Sequence, residues 1–474
     1  MTTLPDDFTE YTRRLMGDIR WQRLTASFDE KPPVSIRINP FKDDNTSSSS
    51  FISQFSTSEV PWCRNAFYLS GRPTFTADPL FHAGAYYVQE ASSMFLDRVM
   101  RRYVTKPALM LDLCAAPGGK STLARAALPD GSLLISNEAI RPRTDILTEN
   151  MLKFGHPDVI VTNNYPADFS RCGIMFDVVL ADVPCSGEGM FRKDNNAIGE
   201  WSVRNVERCR SLQRTIVTDI WDRLRPGALF IYSTCTFNTM ENEENVRFIA
   251  EELGADILPV DGDAGEKHGD MPYPGITGSM LAGFDAPVYR FIPGMTRGEG
   301  LFMAVLRKRD NGSTPNNTAK HIKAQRAANT KPDVPRHWIK NADNFRFTTL
   351  NSSSSTKIIA VPQSWANIYD IVKRTLRIAH AGITIGEVKG RDIIPSQSLA
   401  MSIGLNTDAF ARRDVEYDRA IAYLRKESLT LPADTPRGNV LLTYNNRPLG
   451  FVKNIGNRAN NLYPAEWRIR NKNI

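Results

Sequence analysis

Nowhere among the 474 residues does an apolar run approach the roughly 20 residues that span a bilayer, so no segment reads as a transmembrane helix. The start, Met1-Thr2-Thr3-Leu4-Pro5-Asp6-Asp7, lacks the basic and then apolar stretches of a secretory leader, and a cytoplasmic location is expected. Cysteine is scarce. The six (63, 114, 172, 185, 209 and 235) form no C-x-x-C pair, which argues against both a structural zinc site and a disulfide framework. No internal repeat is present, and acidic residues are outnumbered: 59 Lys and Arg against 52 Asp and Glu give a net charge of +7 and a pI near 9.0. That balance suits a polyanionic partner without identifying one. At this length two or more domains are expected, and the 41% of apolar residues can fill their cores.

What is present changes character along the chain. Residues 1–78 open with a polar helix-like stretch and a short alternating strand within Pro32-Pro33-Val34-Ser35-Ile36-Arg37-Ile38-Asn39-Pro40, and Thr46-Ser47-Ser48-Ser49-Ser50 reads as a loop. Between 79 and 309, short apolar runs at 109–113, 133–138, 158–162, 176–182 and 228–233 alternate with helical stretches. Strands so uniformly apolar are buried on both faces, the mark of a parallel, doubly wound α/β sheet. The clearest helix runs over 212–224 and is expected to stop at Arg225-Pro226-Gly227, while 288–292 and 301–306 form an antiparallel hairpin at the sheet edge. Residues 310–335 are polar and basic, a linker. Residues 336–474 form a second unit of short strands with one clear helix, 417–424, and a polar loop at 351–356.

The chemistry is concentrated at the ends of the apolar runs. After the first comes Asp112-Leu113-Cys114-Ala115-Ala116-Pro117-Gly118-Gly119-Lys120-Ser121, whose small residues let a ligand approach a helix N-terminus. It is not a P-loop, because the required leading glycine falls at Cys114, and it has no G-x-G-x-x-G. Glu138, ending the next strand, stands where an acidic residue grips ribose hydroxyls, although alone it would be only a surface carboxylate. Asp182-Val183-Pro184-Cys185-Ser186-Gly187-Glu188-Gly189 follows the fourth strand and Ser233-Thr234-Cys235-Thr236-Phe237 the fifth. A lone buried cysteine is usually an inert small hydrophobe. Two thiols at the same level of neighbouring strands should instead point into one crevice, with the glycines folding the backbone over a planar ring.

A thiol is needed there to methylate a pyrimidine carbon: its addition to C6 turns C5 into an enamine carbon able to attack a methyl donor. Asp182 is placed to stabilise the adduct, and expulsion of the thiol gives a second cysteine a task. These motifs, with Tyr87-Val88-Gln89-Glu90-Ala91-Ser92-Ser93-Met94 and Glu241-Asn242-Glu243, resemble the Nop/Sun family of RNA cytosine-5 methyltransferases, and within it the bacterial small-subunit (16S) rRNA branch.

The resemblance implies a Rossmann-like class I methyltransferase domain over 79–309, an N-terminal α+β RNA-binding extension over 1–78 and a C-terminal PUA-like RNA-binding region over 336–474. It implies S-adenosylmethionine held by Cys114, Ala115, Ala116, Pro117, Gly118, Gly119, Lys120, Glu138 and Asp182. Cys235 becomes the nucleophile, Cys185 the residue that helps release the product, and Asp182 the group beside both methyl donor and base. It further implies RNA as partner, no metal, no membrane and a monomer. Where the family usually carries an Asp after the third strand, this chain has Tyr165, in Asn163-Asn164-Tyr165-Pro166-Ala167-Asp168; either its ring lies on the adenine or Asp168 reaches in. The mixed aromatic and basic segment from Met190 to Trp201 could stack a flipped base and touch phosphate, or be a solvated loop. The motifs specify base and atom but not the RNA, so tRNA or 23S rRNA remain alternative substrates. A non-catalytic ribosome assembly factor is the rival from another class; amino-group methylation would need no thiol.

Overall fold

The computed structural model describes residues 4–42, 53–260, 273–310, 312, 334–351 and 355–471. The loop expected at 46–50, the serines at 352–354 and most of the basic stretch 310–335 lie outside these residues.

At the centre is the expected sheet of buried strands. Strands β5 (Leu109–Asp112), β6 (Leu133–Asn137), β7 (Val159–Thr162), β8 (Phe176–Asp182) and β9 (Leu224–Thr234) pair in parallel, in the spatial order β9-β8-β5-β6-β7. The chain builds outward from β5 through β6 to β7, then returns to start β8 on the other side. The switch point therefore lies between β5 and β8, where open α/β sheets form their ligand crevice. Alternate residues feed opposite cores: Met110, Leu134, Val161 and Leu180 face one layer of helices, Leu111, Ile135, Ile160 and Val179 the other. Helices α2 (Leu96–Tyr103), α3 (Gly119–Ala127) and α4 (Arg141–Phe154) cover the first face; α6 (Val203–Trp221) and α7 (Glu243–Glu251) cover the second.

The sheet is nonetheless mixed, with nine strands. Beyond β9 lies antiparallel β12 (Leu301–Lys308), whose far side pairs with both β10 (Ala255–Leu258) and β11 (Val288–Phe291). At the opposite edge, β15 (Ile378–Ala381) from the C-terminal region pairs antiparallel with β7, and helix α8 (Ala366–Thr375) joins the core of the second face through Tyr369 and Val372. That region is thus stitched into the methyltransferase sheet, and besides α9 (Tyr417–Leu424) it holds α8 and a short helix at Gln397–Met401, not one helix alone. Its own two four-stranded sheets share a core of Ile358, Ile383, Leu441 and Phe451.

Two boundaries moved for local reasons. Helix α6 begins at Val203, capped by the Ser202 hydroxyl that accepts from Asn205 N–H at 3.1 Å, and ends at Trp221. Strand β9 begins at Leu224, before Arg225-Pro226-Gly227: Leu224 pairs with Phe176, the register then slips, and Leu229 pairs with Val178, so the turn-like residues bulge out of a continuous strand.

The N-terminal region consists of α1 (Asp6–Ser27), interrupted at Gly17 with φ +74°, and a sheet of β1 (Val34–Ile38), β2 (Ser56–Glu59), β3 (Ala66–Leu69) and β4 (Tyr86–Val88). This sheet runs past residue 78, because β4 pairs with β1. Among the described residues no helix is long and apolar enough to cross a membrane.

Candidate active site

The five parallel strands deliver the singled-out residues to one edge. Asp112 closes β5, Glu138 follows β6, Asn163 follows β7, Asp182 closes β8 and Cys235 follows β9.

The two thiols meet. Cys185 Sγ and Cys235 Sγ are 3.2 Å apart, both free and half-buried, and Cys235 N–H also lies 3.4 Å from Cys185 Sγ. The hydrogen bond with the Cys235 sulfur and burial together push the Cys185 pKa well above the ordinary thiol value, so Cys185 keeps its proton at neutral pH, and either thiol can donate to the other. Beside them Asp182 accepts from Ser233 Oγ at 2.6 Å and from Lys120 Nζ at 2.9 Å. Burial opposes the charge of Lys120, yet Asp182 outweighs it and raises the lysine pKa.

A dense set of buried hydrogen bonds fixes the segment around Cys235. Glu188 accepts from Phe237 N–H, Asn238 N–H, Asn238 Nδ2 and Trp201 Nε1 at 2.6–3.1 Å. Glu241 accepts from Ser186 N–H, Gln213 Nε2 and Asn238 Nδ2. Asn242 accepts from Thr234 Oγ1 at 2.6 Å and donates to the Thr236 carbonyl, while Glu243 forms a buried ion pair with Arg290. Each residue of Glu241-Asn242-Glu243 thus braces the loop that presents Cys235, a role the sequence motif did not disclose. At Gly189 the backbone also approaches the Cys235 loop closely: its N–H donates to the Cys235 carbonyl at 2.8 Å, and a Cβ there would stand 2.6 Å from that oxygen.

The glycine-rich turn forms a cradle. Gly118 has φ +113°, a region that favours glycine, and a Cβ on Gly119 would come within 3.3 Å of Tyr87. Neighbouring side chains hold the carbonyls of the turn: Asn137 Nδ2 donates to Leu113, Arg143 to Ala116 and Asn150 to Pro117. Cys114 is half-buried in the turn, Ala115 and Ala116 are buried, and Lys120 leaves the turn for Asp182. On either side sits a buried carboxylate oxygen without a hydrogen-bond donor. One is Asp112 Oδ1, whose partner oxygen accepts from Ser121; the other is Glu138 Oε2, which has only the Arg143 guanidinium at 3.5 Å. Burial pushes the Asp112 pKa up to about 7.

Asp168 accepts from Tyr165 N–H at 3.0 Å and caps a short helical turn, while the Tyr165 ring is 64% exposed. Asn163 donates to the carbonyls of Glu138 and Ala139; Asn164 clasps the backbone of Arg377 in both directions. Tyr165 and Asp168 line a cavity of about 540 Å3 together with Arg374 and Arg377. The segment from Met190 to Trp201 corrects expectation. Phe191 and Trp201 are core residues with ring contacts to Phe8 of α1, residues 195–200 are helical, and Arg192 and Lys193 pair with Glu299. These aromatic rings are committed to holding α1 and have no face left for a base.

Comparison with known proteins identifies the arrangement. Family models described as the 16S rRNA methyltransferase RsmB/F, the N-terminal domain of 16S rRNA methyltransferase RsmF and the methyltransferase RsmF PUA domain match residues 104–307, 4–91 and 411–469. The chain belongs to the RsmB/F family of 16S rRNA methyltransferases. Proteins called ribosomal RNA small subunit methyltransferase F are similar over nearly the whole length: 26% identity to that of Erwinia tasmaniensis over 98% of this chain and 96% of the relative, and 28% to that of Escherichia coli O6:H1 over the same shares. Among solved structures, a methyltransferase homologue from Pyrococcus horikoshii has a TM-score of 0.51 at 24% identity, covering 64% of this chain and all of that one. NSun6 from the same organism, with SFG, has a TM-score of 0.52 at 19% identity over 65% of this chain and all of that one. These likenesses establish the methyltransferase fold, and the RsmB/F member is a methyltransferase with a PUA domain.

Proposed function

We propose that this RsmB/F member transfers the methyl group of S-adenosylmethionine to C5 of a cytosine in 16S rRNA, in the cytoplasm, through a covalent bond between Cys235 Sγ and C6 of the base. The observation that carries this reading is the pair of thiols 3.2 Å apart at the ends of adjacent strands.

S-adenosylmethionine, whose analogue SFG accompanies NSun6, supplies an electrophilic methyl group when bound. Its ribose hydroxyls and ammonium group are hydrogen-bond donors, which fit the Asp112 and Glu138 oxygens that lack a hydrogen bond on either side of the Cys114–Lys120 turn. Cys185 keeps its proton, while Cys235 gives its proton to solvent and its sulfur attacks C6. Asp182, fixed by Ser233 and Lys120, accepts from the exocyclic amine of the ring, and the Lys120 ammonium offsets the charge that attack places on it. Once Cys235 is a neutral thioether, the largest of the causes that hold the Cys185 pKa high is gone, and the causes that remain, burial first, oppose its ionisation less. Cys185 can then release its own proton to solvent and, as the thiolate, take the C5 proton; the C5–H electron pair forms the C5–C6 double bond and expels the Cys235 sulfur from C6, which frees the methylated base. The 1–78 extension, the 310–335 stretch and the 336–474 region add RNA affinity to this 79–309 catalytic unit, which works as a monomer.

The test separates the thiols. Cys235→Ala should abolish methyl transfer and leave no covalent link to RNA, whereas Cys185→Ala should accumulate a protein–RNA species that survives denaturing gels. The opposite pattern overturns the roles. Full activity in both variants overturns the covalent mechanism, and mapping 5-methylcytosine in 16S rRNA with and without the gene tests the substrate.

A further inference from the structure

A wide concavity lies between the N-terminal region and the methyltransferase domain. Residues 30–34, 69–72, 192–193 and 294–298 enclose about 1020 Å3. Five cationic side chains line it, Lys31, Arg72, Arg192, Lys193 and Arg297, against one carboxylate, Glu30. Glu299, buried just behind, pairs with Arg192 at 2.9 Å and Lys193 at 3.3 Å. Lys31, Arg72 and Arg297 make no ion pair among the described residues. Arg297 is oriented nonetheless: Nη1 donates to Ser58 Oγ at 3.0 Å, and the guanidinium lies 4.2 Å over the Tyr68 ring. These are neutral partners, so its charge stays uncompensated.

Neighbouring backbone links the cleft to the loop that carries Cys235. Lys193 N–H donates to the Met190 carbonyl, one residue beyond the glycine bonded to the Cys235 carbonyl. On the opposite wall, Gly298 is two residues from Gly300, whose Cα a Cβ on Gly189 would meet at 3.0 Å. Among the described residues no aromatic ring lines the space, so none of them offers a stacking face to a base or a nucleoside. Three unpaired cations beside two paired ones, without stacking surface, suit the backbone of a strand, whose affinity comes from phosphate neutralisation.

We propose that this cleft seats the phosphodiester backbone of the RNA flanking the target nucleotide, with Lys31, Arg72 and Arg297 as phosphate contacts. The proposal rests on the reading of the chain as an RNA methyltransferase and adds which face the strand crosses. It is tested on the full chain with Lys31→Gln/Arg72→Gln, both exposed residues, by titrating a 16S rRNA transcript at several salt concentrations. Two lost contacts on a single strand should lower the slope of log affinity against log salt by about 1.4 and weaken binding roughly twentyfold at 0.1 M salt. S-adenosylmethionine affinity and the thermal midpoint should not change. An unaltered slope and affinity overturn the proposal. So does saturable binding of inorganic phosphate that the two substitutions abolish while RNA affinity is kept, which marks a small-anion site. The readout involves no methyl transfer. Failure of the C5 assignment therefore leaves this test standing, and failure here with 5-methylcytosine still formed leaves the reaction standing.

Discussion

The two halves of the crevice are built on opposite terms. On the Cys235 side, Glu188 and Glu241 are buried and saturated with donors, and neither Asn238, Ser186 nor Thr236 has a buried polar atom without a partner. On the Gly118 side, Asp112 and Glu138 each keep an oxygen without a hydrogen bond among the described residues, that of Glu138 facing only the Arg143 guanidinium at 3.5 Å. A buried polar group without a partner costs about 1–3 kcal/mol, so a fold tolerates it where a ligand completes it. The thiol side is finished by the protein itself, as positioning a nucleophile to fractions of an ångström requires. The cofactor side is left to be finished by what binds.

Substitutions can break or sharpen that contrast. The largest effect belongs to Glu188→Ala, which strips the acceptor from four buried donors. It should cost about 3–5 kcal/mol, seen as a thermal midpoint lower by roughly 10 °C, with kcat reduced a hundredfold or more. A variant of native stability would mean that the network is not what holds the Cys235 loop.

Asp112→Asn acts through pH. Because burial raises this pKa to about 7, the folded protein binds the proton more tightly than the unfolded chain does. Stability therefore falls as pH climbs from about 4 to about 7 and levels off above, by at most about 4 kcal/mol. The Asn variant, without cofactor, should lose that part of the fall, measured as the midpoint difference from wild type between pH 4.5 and 8. A constant difference across that range removes the raised pKa.

Glu138→Ala should do what Glu188→Ala does not. S-adenosylmethionine affinity in a calorimetric titration should weaken tenfold to a hundredfold, about 1.4–2.8 kcal/mol, while the midpoint moves by only about 2 °C. A large loss of stability with affinity intact would place Glu138 on the finished side instead. The smallest effect is expected from Tyr165→Ala, roughly threefold in cofactor affinity, since most of its ring faces solvent. No change at all would assign the ring to something other than the adenosine.

The central sheet was legible because strands buried on both faces carry uninterrupted apolar runs, and their ends carry the motifs: four of the five parallel strands lie within a residue of expectation at either end. Long-range pairing was not. Nothing in Ile378-Ala379-His380-Ala381 marks it as a strand of a sheet completed far earlier in the chain, since pairing partners leave no local signature. The aromatic residues between Met190 and Trp201 were misread for the same reason: only the arrival of Phe8 distinguishes a core ring from a stacking platform. Glu188 was visible as a letter of its motif, but its role depends on backbone groups of residues 237 and 238, fifty positions away.

The edge strand β15 also has a consequence in time. Its partner β7 is synthesised more than two hundred residues earlier. At translation rates of about 5–20 residues per second, the methyltransferase sheet presents an open β7 edge for some ten to forty seconds before its closing strand leaves the ribosome. An unpaired edge of that kind invites pairing with other nascent chains. A chain released before residue 378 would keep every motif of the reaction centre and still carry an adhesive border, so the last third of the sequence decides whether the first two thirds stay single molecules.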